Sequence, residues 1–255
     1  MTNSDDQQPS PAADTSPWRD MRSVLRQSIS MLGFWMTLRY LLIYALSYKP
    51  VADRSFDRKH ATDTGGLVSA GDLGIDDAAT ERQANLFLGA PARVTRYMLR
   101  ALDIDYSDFV FVDYGSGKGR TLLVAAEFPF KKIVGVEIAQ ELHAIAGKNV
   151  DQYRGNNRKC ADIELFCGDA RSFLLPDSDL VLHMYHPFGQ DVLREVLQHI
   201  VASTRENPSQ ILIPYLLPVA MARAVFKEFP QFTKVRDVWC VNTQYRWTLY
   251  EYHGQ

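Results

Sequence analysis

The chain has 255 residues, 46% hydrophobic and 23% charged; this ordinary globular usage excludes whole-chain disorder and fibrous repeats and provides apolar material for a sizeable core. Its 28 basic and 30 acidic residues leave a formal charge of −2, so there is no electrostatic case for binding nucleic acid through the whole surface. Three scattered cysteines, Cys160, Cys167 and Cys240, fit a reducing compartment and not a disulfide framework, and the expected location is cytoplasmic.

Residues 1–20 are rich in Ser, Asp, Gln, Pro and Ala and read as a disordered tail, with no signal-peptide core. In 21–50 the charged residues are Arg22, Arg26, Arg39 and Lys49, and the stretch 31–48 is apolar and aromatic. Arg39 near its middle would cost roughly 2.5–3.5 kcal/mol in a bilayer, and basic residues ahead of the apolar run would send the rest of the chain outward. A helix packed on the main domain is therefore the preferred reading, with peripheral membrane contact through 31–48 next and a true span last. Residues 51–92 are Gly-rich and polar, a connector or lid with a dense polar cluster at 57–66.

From residue 93 the pattern is regular. Helix is expected at 93–102, strand at 109–112, then a glycine turn and a helix at 121–128 stopped by Pro129. Strand 133–136, helix 139–153, strand 163–166, strand 180–185, helix 191–203, strand 211–215 and helix 219–229 follow. Segments 232–241 and 245–252 close the chain as an antiparallel hairpin. This alternation predicts an α/β fold: a doubly wound, mostly parallel seven-strand sheet with a C-terminal antiparallel hairpin and an N-terminal helical extension, the last domain spanning 93–255. Ligands of such sheets bind at the carboxyl ends of the strands, near the switch point beside the first strand.

The glycine turn runs Asp113-Tyr114-Gly115-Ser116-Gly117-Lys118-Gly119-Arg120. A P-loop would need Gly at position 112 and Ser or Thr after Lys118, where the chain has Val112 and Gly119. A dinucleotide fingerprint would need glycine where Arg120 stands. What remains is an acid-x-Gly-x-Gly-x-Gly turn with its acid at a strand end. With the element order from 93 to 255, it resembles the class I, seven-strand S-adenosylmethionine-dependent methyltransferases. The resemblance implies S-adenosyl-L-methionine as cofactor, Asp113 at its amino group, and Gly115, Ser116, Gly117 and Gly119 as the floor beneath it. A cationic ligand suits a carboxylate partner. By the same resemblance Glu137, 20 residues after Gly117, accepts the ribose hydroxyls, Ile138 lies against the adenine, and Asp169 with the Ala170 N–H meets the adenine amino group. Asp169 alone could equally be a helix cap. Lys118 and Arg120 read as surface or helix-start residues.

The fourth strand of this domain runs into Tyr185-His186-Pro187-Phe188. Many amino-group methyltransferases carry Asn/Asp-Pro-Pro-Tyr/Phe at this place; here one proline is missing and the lead residue is His. More loosely, the stretch resembles the corresponding loop of seven-strand protein lysine methyltransferases. Tyr185, His186 and Phe188 are the candidate acceptor-side residues, with His186 either a general base or a loop hydrogen-bond partner. His183 and His186 point to opposite faces of a strand, so no shared metal is expected, and His183 reads as a core or sheet-face histidine. Thr62, Asp63 and Thr64 are plausible cofactor or acceptor contacts if 57–66 closes over the site. The function expected is methyl transfer to an unidentified acceptor, a protein lysine or other nitrogen among the options and a small molecule another; a scaffold that binds cofactor without catalysis is the alternative.

Overall fold

The computed structural model describes residues 29–30, 33–35, 37–38, 54–68, 73, 87–204, 210–240 and 245–254. The chain divides into two compact units, Met1–Leu46 and Ser47–Gln255. In the first, helical residues lie on both sides of Gly33, whose φ is +78°; the Gly33 N–H donates to Ile29 O and the Thr37 N–H to Gly33 O. The expectations for 1–20 and for most of 21–50 fall outside the described residues. Among the described residues no helix is long and apolar enough to cross a membrane.

The second unit begins with α1 (Arg54–His60) and two short strands, β1 (Leu67–Val68) and β2 (Phe87–Leu88), paired antiparallel. Then come α2 (Ala92–Arg100), β3 (Phe109–Tyr114), α3 (Arg120–Ala125), β4 (Lys132–Glu137), α4 (Gln140–Gln152) and β5 (Ile163–Cys167). The chain continues through β6 (Asp179–Tyr185), α5 (Gln190–Thr204), β7 (Ile211–Leu216), α6 (Ala220–Lys227), β8 (Phe232–Trp239) and β9 (Arg246–Tyr252). The large sheet has seven strands in the order β5-β4-β3-β6-β7-β9-β8. Its first five strands are parallel, and β9 and β8 close it antiparallel. This is the expected doubly wound sheet with a terminal hairpin.

β3 is central and every one of its six residues is buried, because helices cover both faces. On one face Phe111, Ile133, Val181 and Leu212 meet Met98 and Leu99 of α2 and Leu122 and Leu123 of α3. α3 and α6 are shorter than the periodicity predicts. The N–H of Phe128 reaches only Ala125 O, and that of Phe229 only Phe226 O, as each helix tightens before Pro129 and Pro230. A residue preceding proline is disfavoured in the helical region, which sets both ends early. The chain reverses direction of build-out at β3, with β4 on one side and β6 on the other, so a crevice opens at the carboxyl ends of these strands.

Candidate cofactor and acceptor site

The glycine turn leaves β3 and hooks over β4: the N–H groups of Gly115 and Ser116 both donate to Val136 O, at 2.9 and 3.0 Å. Gly115, Gly117 and Gly119 have φ of +73°, +53° and +85°, a region side chains rarely adopt. Two of them also admit close neighbours. A Cβ on Gly115 would stand 2.6 Å from Pro187 Cβ, and one on Gly117 2.1 Å from the Phe87 ring. The turn is thus pressed between the acceptor-side loop and a strand of the upstream segment, contacts that the sequence did not reveal.

Glu137 ends β4 beneath the turn. Its Oε2 accepts the Gly117 N–H and its Oε1 the Ala139 N–H, each at 2.8 Å. Burial pushes this carboxyl up from its ordinary range and those backbone bonds pull it down, while the nearby Asp113 charge pushes it further up. Asp113 is 2% exposed. Its Oδ1 lies 2.6 Å from His183 Nδ1, and burial raises its pKa against the opposing pull of His183 and the Thr121 hydroxyl. Asp113 and Glu137 therefore lie close together near the carboxyl ends of the adjacent strands β3 and β4. A carboxylate has about four acceptor positions, so Glu137 keeps capacity for a ligand's hydroxyls beyond its backbone bonds.

Ile138 is half-buried and Ala170 buried. The Asp169 side chain accepts the Arg171 N–H at 2.8 Å, capping the short 3-10 turn Ala170–Ser172, and pairs with the Arg171 guanidinium. Asp169 thus caps this turn. The Ser116 hydroxyl and the Tyr114 phenol are buried with no hydrogen-bond partner among the described residues. Two neighbouring acids, a turn with glycine at alternate positions and unmatched polar atoms fit a polar, cationic nucleotide cofactor.

On the acceptor side the three candidates part company. His186 adopts φ +43°, and its Nδ1 lies 2.9 Å from the Tyr215 hydroxyl. Burial lowers its pKa from 6.5 to about 4, so it is an uncharged imidazole at neutral pH. Phe188 meets Tyr114 edge-on at 6.2 Å. Tyr185 instead packs against the α2–α3 core face, edge-on to Tyr245, on the side of the sheet away from His186 and Tyr215.

The upstream segment is tied to the turn by a polar network. Asp57 Oδ1 accepts from the Thr62 hydroxyl and the Thr64 N–H and hydroxyl, and its Oδ2 lies 3.1 Å from Arg120 Nη2. Arg120 Nε also donates to the Thr64 hydroxyl at 2.6 Å. Lys118 pairs with Asp63, and the Asn149 side-chain amide donates to Asp63 O and Lys118 O. Of the two readings of Arg120, surface or helix-start, the second holds, since it opens α3, and the first is corrected: it is 3% exposed, and Asp57 and Thr64 supply the partners a buried guanidinium needs. Its place at the missing third fingerprint glycine carried only a negative signal in the sequence.

The profile of the family described as "Histone methylation protein DOT1" matches residues 91–206, somewhat less than half of the chain. A comparison with curated proteins found no match. Among solved structures, the chain is similar to an RNA methyltransferase from Salinibacter ruber in complex with S-adenosyl-L-homocysteine, at 21% identity and TM-score 0.44, covering 64% of this chain and 91% of that one. It is also similar to TrmN from Thermus thermophilus, at 17% identity and TM-score 0.48, covering 64% of this chain and 49% of that one. A third is a putative methyltransferase, yhhF, from Escherichia coli, at 16% identity and TM-score 0.45, covering 64% of this chain and 86% of that one.

Proposed function

We propose that this chain, a class I S-adenosylmethionine-dependent methyltransferase, moves the methyl group to a nitrogen of a protein side chain, with lysine the first candidate. The observation that carries the reading is the reach of the histone-methylation profile, whose span 91–206 takes in the glycine turn, Glu137 and the 185–188 loop together. When bound, S-adenosylmethionine supplies an electrophilic methyl group on a sulfonium. Asp113 holds the ammonium end, Glu137 the ribose, and the alternate glycines of the turn let the backbone approach. Ile138, Asp169 and Ala170 form the adenine side. The loop bearing His186 and Phe188 orients the acceptor, and the contact of Pro187 with Gly115 supports placing it directly beside the turn. An uncharged His186 neither repels a cationic cofactor nor takes a proton from a lysine ammonium of pKa about 10.4, so its role is to hold the neutral amine in line. Tyr185 contributes by fixing the loop's base against Tyr245.

The test is transfer of labelled methyl from S-adenosylmethionine, by the purified chain, to core histones, whole-cell protein, RNA and a small-molecule fraction offered side by side. Label recovered as N-methyl-lysine is the expected result. Label confined to RNA or small molecules overturns the acceptor, and cofactor binding with no label anywhere favours the scaffold alternative.

For the N-terminal unit we assign peripheral contact with an anionic membrane surface. The charged residues of 21–50 are all basic and the stretch 31–48 is apolar and aromatic, which supports this reading. The free thiols Cys160, Cys167 and Cys240 support a cytoplasmic location.

A further inference from the structure

α2 buries Ala92, Val94, Thr95, Met98 and Leu99 and leaves Arg93, Arg96, Tyr97 and Arg100 on its outer side. These four stand at i, i+3, i+4 and i+7, so they form one stripe about 10 Å long. The helix contains no acid. Tyr97, in the middle of the stripe, is 42% exposed.

The stripe runs into a cleft of about 420 Å³ whose lining includes Arg100, Asn156, Asn157, Arg158 and Lys159. Among the described residues, the side chains of Arg100, Asn156, Asn157 and Lys159 make no hydrogen bond or ion pair. Arg158 donates to the carbonyls of Cys160 and Ala161, at 3.1 and 2.8 Å, and pairs with no acid among those residues. The acid in the lining, Glu127, is engaged at both oxygens by Arg96, at 2.5 and 2.7 Å. Asp103 lies beyond the end of α2, where its charge and that of Arg100 both act on Tyr106. At the other border His60 of α1 lies 4.9 Å from the Tyr153 ring, and the Arg96 and Glu127 charges act on both, as does Lys59 on His60.

In a chain of formal charge −2, this face thus gathers cations that have no acid to neutralise them. Their mutual repulsion is relieved by a ligand with negative charges in a row. Guanidinium forks and amide N–H groups match phosphate oxygens, and an exposed ring among arginines offers a face on which a base stacks. A free phosphate ester would use the cleft and leave the stripe idle. A lipid headgroup would have no base for the ring.

We propose that the outer side of α2 and the cleft at its end form a binding track for a single-stranded nucleic acid, with phosphates on Arg93, Arg100, Arg158 and Lys159 and a base on Tyr97. The track is confined to one face, which is how it coexists with the acidic balance of the whole chain. Its existence depends on neither the cofactor nor the methyl acceptor.

The experiment is fluorescence anisotropy of a labelled oligouridylate of about twelve nucleotides, titrated with the full chain at 50 to 300 mM NaCl. Binding should weaken with salt, with a log–log slope of about −3 for four phosphate contacts on a single strand. The exposed pair Arg100→Gln with Lys159→Gln should flatten that slope by about 1.4. Tyr97→Leu should weaken binding at least about fivefold and leave the slope as it was, which loss of charge alone would not do. Lys227→Gln, on α6, whose Phe226 packs against Tyr215 and Tyr250, should bind as the wild type does. No binding at 50 mM NaCl overturns the inference. So does an unchanged slope in the Arg100 and Lys159 variant, an unchanged affinity in Tyr97→Leu, or an equal loss in Lys227→Gln. Vesicles of phosphatidylglycerol are offered in parallel: flotation that needs Arg100 and Lys159, with no oligonucleotide bound, gives the face to lipid and overturns it as well.

Discussion

Asp113 stands at the tip of a buried central strand, where its charge is useful to a cationic ligand and a burden without one. Its raised pKa means that the stability it contributes is present at low pH, with the carboxyl protonated, and is lost as pH rises through the folded value. Asp113→Asn retains an acceptor for His183 and carries no charge. It should therefore raise the denaturation midpoint of the ligand-free protein at pH 8, with the gain vanishing below pH 4, as urea unfolding at both pH values would read. The same variant should weaken S-adenosylhomocysteine binding about ten- to a hundredfold, as expected for losing a hydrogen bond to a charged group. His186 has the opposite sign. Its pKa is lowered, so the unfolded chain binds the proton better, and stability falls as pH drops from 6.5 towards about 4, by roughly 3 kcal/mol at most. Asn tolerates the positive φ and does not titrate, so His186→Asn should flatten this acid limb in denaturant titrations between pH 4.5 and 7.

At the scale of elements, the glycine turn is held by what lies on it. Gly117→Ala would combine a left-handed φ with a Cβ driven into the Phe87 ring, and should lift β2 off the turn. Faster proteolysis near 87–88 and weaker cofactor binding are the expected readouts. The segment 57–64 is fastened by a buried guanidinium. Arg120→Met should cost about 3 kcal/mol by stranding Asp57, and Asp57→Leu with Arg120→Met should cost less than the sum of the singles. Thermal or urea unfolding of the double-mutant cycle measures the coupling. The strand–helix alternation was legible in the sequence because both periodicities are local. The early ends of α3 and α6, by contrast, depend on the tightening of the last turn before Pro129 and Pro230, which a periodicity count passes over. α1 escaped notice because its seven residues are mostly polar, and its buried anchor, Phe56, packs on Tyr153 nearly a hundred residues away.

For the whole molecule, the two proposed roles fall on either side of the division at Leu46 and Ser47. A chain beginning at Ser47 should bind S-adenosylhomocysteine as the full chain does, while only the full chain should float with liposomes rich in anionic lipid. Flotation that persists without the first 46 residues would remove the membrane assignment from this unit.

By itself, the sequence determined the sheet class, the terminal hairpin, the glycine turn and the acids at the ends of two strands. Burial on both faces writes itself as continuous apolar runs, and a turn with positive φ writes itself as glycine. Only the tertiary structure decided which side chains face each other across those elements. Asp113 meets His183 because β6 was laid beside β3, Arg120 is buried because the segment 57–64 folds back to partner it, and Tyr185 faces away from His186 because successive residues of a strand point to opposite sides. Pairings of this kind depend on strand order and on long-range closure, and no window of local sequence carries that information.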